Sequence, residues 1–166
     1  MKTSINGINI IKHFESIHDG DLKLIGLQPK MDPVGIWTEG WGHAIRDDKG
    51  SFLRRASNKQ LALKFSKIKT KEEADIQLLI DLKPREHLVM QNIKVNLSQN
   101  QFDALISYVY NTGGSATLYS LINKKASDLY IRKWIETHYI TGQGSKTPLL
   151  GLVKRRKAEA DLYFKK

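Results

Sequence analysis

The sequence predicts an α+β chain, mostly helical, in which a small β-containing lobe is carried on a helical body. Three observations predict it. Thr70 with Glu73, and Ser98 with Gln101, each form a four-residue box in which the first side chain caps a helix and the fourth reaches back to the cap's own N–H. Each box is followed by apolar residues at helical spacing. The third observation is DPVGIWTEGWGH, from Asp32 to His43, a tight turn running into a glycine-punctuated strand.

The first helix is expected from a cap at Ser4 or Asn6 to Phe14 or Glu15. Its core stripe would be Ile5, Ile8, Ile11 and Phe14. Glu15 then falls on or beside that stripe, where a carboxyl has its charged form disfavoured, as a general acid requires. The other reading is a solvated glutamate past a frayed helix end. Residues 16–31 read as a loop or irregular strand pair. His18, Asp19 and Asp21 lack a fourth ligand, so a solvated turn around Gly20 is expected there and no metal.

Asp32 to Gly35 fit a type I turn, with Asp first, Pro second and Gly fourth. From Ile36, strand alternation puts Ile36, Thr38, Gly40 and Gly42 on one face, and Trp37, Glu39 and Trp41 on the other. Glycines beside Thr38 leave room for close approach to the backbone. Asp47 to Gly50 make a turn leading to another short strand. The Thr70 box opens a helix over Lys71–Asn92, with Ala74, Leu78, Leu79 and Leu82 facing inward. Pro84 lies well inside it and predicts a kink or break near Ile80 to Pro84.

The Ser98 box opens the next helix, with Phe102, Leu105, Ile106 and Val109 as its core face and Leu97 stapled onto Phe102. Gly113 and Gly114 end it. Further helices are expected at about 115–125, 128–140 and 149–164. The smaller lobe is thus about 16–69, and the helical lobe about 70–166 together with 1–15. A cleft between lobes is where a ligand is expected.

Composition narrows the classes. The chain has 166 residues, 40% hydrophobic, with no cysteine, which excludes disulfides and cysteine-held metal. Neither a secretory signal nor a stretch long enough for a membrane span is visible. The net charge is +10, and residues 84–166 carry +7 of it, which favours polyanionic partners such as nucleic acid, anionic lipid or an acidic wall polymer. No helix-turn-helix, zinc or aromatic-basic strand pattern supports a nucleic-acid module. On residues alone, Glu15 and Asp32 with Thr38 suggest glycoside hydrolysis by two carboxyls in unlike environments.

The chain resembles the phage-type lysozymes, the endolysins of glycoside hydrolase family 24. The resemblance is carried by a glutamate ending the first helix (Glu15), an Asp followed after five residues by Thr (Asp32 and Thr38), and TEGWGH from Thr38 to His43. NLSQNQFDALISYVYNTG and GLVKRRKAEADLY resemble the family's long-helix segment and basic closing helix. The resemblance implies a lysozyme-like single catalytic domain over 1–166, with no separate cell-wall-binding domain and no cofactor. It implies an inverting muramidase cleaving the N-acetylmuramic acid to N-acetylglucosamine β-1,4 bond of peptidoglycan, with Glu15 as acid, Asp32 as base and Thr38 holding the attacking water. A lytic transglycosylase is the rival.

Two departures stand out. Sixteen residues separate Glu15 from Asp32, more than in the family's best-known members, so Asp19 or Asp21 compete with Asp32 for its part. Glu39 occupies a position usually aliphatic and is read as structural or solvent-facing. Asn111, Trp41 and Gly40 are taken as substrate-binding, although the tryptophans also read as packing and Asn111 as a helix cap. His43, which pins the hairpin, and Gly35 are taken as structural supports. The partner is peptidoglycan, with anionic envelope polymers a further candidate through Lys154, Arg155, Arg156 and Lys157. A monomer is expected, accumulating in the host cytoplasm until a holin opens the membrane and acting on the wall in the periplasm.

Overall fold

The computed structural model describes residues 1–142 and 144–166. Its helices are α1 (Ile5–Glu15), α2 (Lys59–Phe65), α3 (Lys71–Asn92), α4 (Gln99–Thr112), α5 (Ala116–Asn123), α6 (Asp128–Thr137) and α7 (Leu150–Tyr163). Its strands are β1 (Lys30–Met31), β2 (Trp37–Glu39) and β3 (His43–Ala44), forming one antiparallel sheet in the order β1-β2-β3. The mostly helical α+β class expected from the pattern is what forms. Among the described residues no helix is long and apolar enough to cross a membrane.

Two compact units are present, Glu15–Asp81 and Met1–Phe14 with Leu82–Lys166. The first half of α3 therefore belongs with the smaller unit, whereas the sequence placed all of α3 in the helical one. Within the smaller unit, Trp37, Ile45, Leu53 and Ala62 pack together against Phe65. Trp37 Nε1 donates to Arg55 O at 2.9 Å, so the buried indole leaves no polar atom unanswered. Arg46 pairs with Phe52 in an isolated bridge, which is the short extended piece expected after the Asp47 turn. The helix α2 was not expected; seven residues are too few for a periodic signal.

The helical unit is built around α4, whose residues Phe102 to Val109 are all buried. Its capping box is complete, with Gln101 N donating to Ser98 Oγ and Ser98 N to Gln101 Oε1. It ends on Gly113 in the left-handed region, whose N–H returns to Val109 O. The buried carboxylate of Asp103 accepts from Ser4 N, Ser4 Oγ and Gln99 Nε2, which fixes the start of α1. Gly7 is required there, because a Cβ would meet Asp103 Cβ at 2.9 Å. Ile5, expected in the core stripe, is instead 65% exposed, and Ile11 is the buried anchor of α1.

Three further expectations are corrected. The helix α3 is unbroken through Pro84. Pro84 has no N–H to give the Ile80 carbonyl, and both residues lie on the exposed side, where that carbonyl can tilt away from the ring and bond to water. Leu79 is 51% exposed, while Ala74, Leu78 and Leu82 form the buried stripe. In α7, Arg155 and Arg156 are buried rather than part of a solvated basic face. Their Nε atoms lie 3.1 and 2.9 Å from the carboxylate of Glu159, one turn on, and Ser107 Oγ donates to the same carboxylate. Burial pushes the Glu159 carboxyl up, and the Arg156 and Arg155 guanidiniums and Ser107 oppose it.

Candidate functional site

Within the smaller unit, β2 and the loops around it gather the residues singled out from the sequence. Asp32 opens the expected turn, with Gly35 N donating to Asp32 O at 3.0 Å and Asp32 N to Ile36 O at 2.8 Å. Its carboxylate also caps the turn, because Val34 N and Ile36 N both donate to Oδ1. Oδ2 enters neither bond. Gly35 sits at φ 82°, a left-handed conformation that glycine adopts without a Cβ penalty.

Thr38 is buried in β2, and its hydroxyl donates to Lys30 O across the sheet at 3.0 Å. His18 Nδ1 approaches the same oxygen at 2.6 Å. His18 is carried there by its own backbone, whose N–H donates to Gly40 O at 2.8 Å. Burial holds the half-buried imidazole below its ordinary value; Lys30 acts the same way, while Glu15, Asp32 and the Glu15 backbone pull it up. The structure thus places the His18 ring against Thr38. Glu15, half-buried at the end of α1, lies against Gly42: its Oε2 is 3.4 Å from where a Cβ on Gly42 would stand.

Asp19 and Asp21 are engaged within the loop. Asp19 Oδ1 accepts from Asp21 N and Gln28 N, and Asp21 Oδ1 from Lys23 N. Among the described residues no group of three His, Cys, Asp or Glu could hold a metal ion.

With that geometry in view, comparison with known proteins is decisive. The family model described as phage lysozyme matches residues 24–159. The chain belongs to the phage lysozyme family. It is accordingly a glycoside hydrolase of the endolysin type, active in peptidoglycan lysis. An endolysin of Acyrthosiphon pisum secondary endosymbiont phage 1 is 31% identical over 98% of both chains. An endolysin of Lactococcus phage c2 is 30% identical over 99% of this chain but 61% of its own length, so this chain spans about three fifths of that relative. Among solved structures, an endolysin from an Escherichia coli phage, FAHEc1, matches with TM-score 0.72 at 30% identity, covering 99% of this chain and 94% of its own. The muramidase domain of SpmX from Asticaccaulis excentricus matches with TM-score 0.71 at 25% identity over 99% of both. The lysozyme-like fold is thereby shown.

Other predicted residues of this phage lysozyme stand differently from expectation. Strand alternation ends at Gly40, which turns at φ 57° and is buried; a Cβ there would meet Ile68 Cδ1 at 3.0 Å and Ala74 Cβ at 3.1 Å. Gly40 is a packing glycine, not a substrate contact. Trp41 is likewise buried, and its Nε1 donates to Asp75 Oδ1 at 2.6 Å, so it presents no open ring to a sugar. Glu39 is 4% exposed and its Oε2 accepts from Ser66 Oγ, Lys67 N and Ile68 N. It is structural, and the solvent-facing alternative is wrong. His43 Nδ1 meets both oxygens of Asp81 at 3.0 and 2.9 Å, and Gln77 Nε2 donates to the same carboxylate. That ion-pair geometry ties β3 to α3.

Asn111 is exposed in the other unit. Its Oδ1 accepts from Arg156 Nη2 at 3.0 Å, and it lines a cavity of about 900 Å³ with Ser115, Thr117, Trp134, His138 and Tyr139. The Trp134 and His138 rings stack there at 4.3 Å. Sequence reasoning missed His18 as a neighbour of Thr38. The only available signal was a histidine three residues after the glutamate, which suggested a turn instead.

Proposed function

We propose that the chain is a monomeric inverting muramidase that hydrolyses the N-acetylmuramic acid to N-acetylglucosamine β-1,4 bond. Glu15 protonates the leaving glycosidic oxygen as the bond to the anomeric carbon breaks. Water attacks that carbon from the opposite face, its proton passes to Asp32, and Thr38 helps hold it. Inversion needs carboxyls roughly 6.5–9.5 Å apart, so that water fits between them. What supports the reading is the spaced motif of Glu15, Asp32 and Thr38 in a chain of the phage lysozyme family, with Thr38 held in β2 by Lys30 O and His18. Asp32 is favoured over Asp19 and Asp21 by its five-residue spacing to Thr38 and by the turn that leads from it into β2. Asn111 is a proposed substrate contact. We further propose release to the wall through a holin.

The experiment has two arms. Turbidity of chloroform-treated Gram-negative cells is followed with wild type and Glu15→Gln; lysis by the variant at the wild-type rate overturns the acid assignment. The anomer first released from a defined muropeptide is read by NMR, and an inverted product is expected. A retained anomer, or anhydromuramic ends, would remove Asp32 from the base position.

A further inference from the structure

The loop after α1 brings to β2 a side chain that the hydrolytic scheme leaves unused. His18 is fixed by its backbone bond to Gly40 O at 2.8 Å, and its Nδ1 stands 2.6 Å from Thr38 Oγ1. The hydroxyl also reaches Lys30 O at 3.0 Å. A hydroxyl owns one proton and two lone pairs, and a carbonyl only accepts. The bond to Lys30 therefore takes the Thr38 proton, and His18 meets Oγ1 with an N–H. Were Thr38 to give its proton to His18 instead, Thr38 Oγ1 and Lys30 O would face each other with no proton between them.

With its proton directed at Lys30 and one lone pair filled by His18, Thr38 Oγ1 meets any further partner only as an acceptor. A water that gives one proton to Thr38 and the other to Asp32 Oδ2 turns its lone pairs away from both. That is the orientation a nucleophile needs when its proton is to pass to a carboxylate. A hydroxyl free to rotate would bind the same water in either sense.

We propose that His18 is a positioning residue for hydrolysis, donating Nδ1–H to Thr38 so that the threonine oxygen becomes a fixed acceptor for the attacking water. The proposal rests on the reading of Thr38 and Asp32 given above. Glu15, Lys30 and Asp32 act on the imidazole through their charge and the Glu15 backbone through a hydrogen bond; among the described residues His18 is the side chain hydrogen-bonded to Thr38 Oγ1.

The test combines a direct observation with kinetics. Nitrogen-15 NMR of the ring at neutral pH should show the Nδ1–H tautomer for His18; the Nε2–H tautomer would overturn the proposal whatever the activity. On purified peptidoglycan, His18→Ala should lower kcat roughly tenfold with KM nearly unchanged, the scale of one neutral hydrogen bond. His18→Asn, whose amide N–H sits near the Nδ1 position, should recover most of it. His18→Ala combined with Thr38→Ala should be no slower than Thr38→Ala alone. An Asn variant as slow as the Ala variant, or a double mutant with multiplied losses, shows that His18 does not act through Thr38. Thr38→Ala working at the wild-type rate would instead defeat the parent reading, so the two failures are distinguishable. Circular dichroism on each variant limits the comparison to folded protein.

Discussion

The carboxylate of Glu15 lies over Gly42, with Oε2 3.4 Å from the place a Cβ would occupy. Gly42 also turns the chain at φ 91°, a conformation costing an L-residue about 1 kcal/mol. Gly42→Ala should therefore lose about that much stability in thermal melts while keeping most activity, because its methyl only reaches contact distance. Gly42→Val pushes further, and should lower kcat at least tenfold by displacing Glu15. Equal rates for the two variants would show that the contact does not place the acid.

Glu39 is an internal staple. Its Oε2 answers the backbone N–H groups of Lys67 and Ile68 and the hydroxyl of Ser66. Glu39→Ala leaves these without their acceptor and should cost about 2–3 kcal/mol, read by urea unfolding. Activity per folded molecule should be preserved. A loss of kcat at full stability would put Glu39 among the reacting groups.

The Arg155–Glu159–Arg156 cluster is buried and charged. Removing the central carboxylate leaves two guanidiniums in the interior, so Glu159→Leu should destabilise by about 3–5 kcal/mol. A melting temperature unchanged within a degree would contradict it.

On the same helix, only Lys154 and Lys157 of the four closing cations are exposed. Neutralising both with glutamine should weaken attachment to anionic vesicles at low salt and leave the fold intact. Replacing Arg155 and Arg156 should compromise the fold first. If all four substitutions affect vesicle binding equally without loss of stability, the burial of the arginines is wrong in solution.

Acid should weaken the fold through His18. Its imidazole is held below the ordinary value of 6.5 by burial, so the neutral ring is favoured in the folded state. A group depressed in this way contributes stability that is present above about pH 6.5 and lost as pH falls through the lower, folded value. The melting temperature of wild type should thus fall more steeply than that of His18→Asn between about pH 7 and 5. Parallel curves would mean that the ring titrates as if in solvent.

Local signals survived into the structure; signals that depend on distant chain did not. Both capping boxes are local chemistry, and both formed. Asp32, Thr38 and Glu15 were legible as a spaced motif, and the Asp32 turn as a residue pattern. The burial of Glu39 was not, because its partners Ser66 to Ile68 come from the end of α2, a helix with no periodic signature. Leu79 looked internal because it sits next to Leu78, but one residue on a helix is 100° of rotation. Arg155 and Arg156 looked solvated because of their charge, although Glu159 at four and three residues on was a visible warning. His18 was illegible as a neighbour of Thr38, since only the return of residues 16–31 across the sheet edge brings them together.

That return is closed on itself. The loop is tied at its two ends by His18 N to Gly40 O and by Gly20 N to Gln28 O, and Leu27 N donates to Lys69 O. Between these bonds the chain from Asp21 to Gly26 is exposed, Leu22, Leu24 and Ile25 included. Lengthening a closed loop costs only slowly growing entropy, so residues inserted between Asp21 and Gly26 should leave the bonds at His18, Gly20 and Leu27 in place. The exposed stretch from Asp21 to Gly26 is thus the place in this loop where new sequence can be grafted.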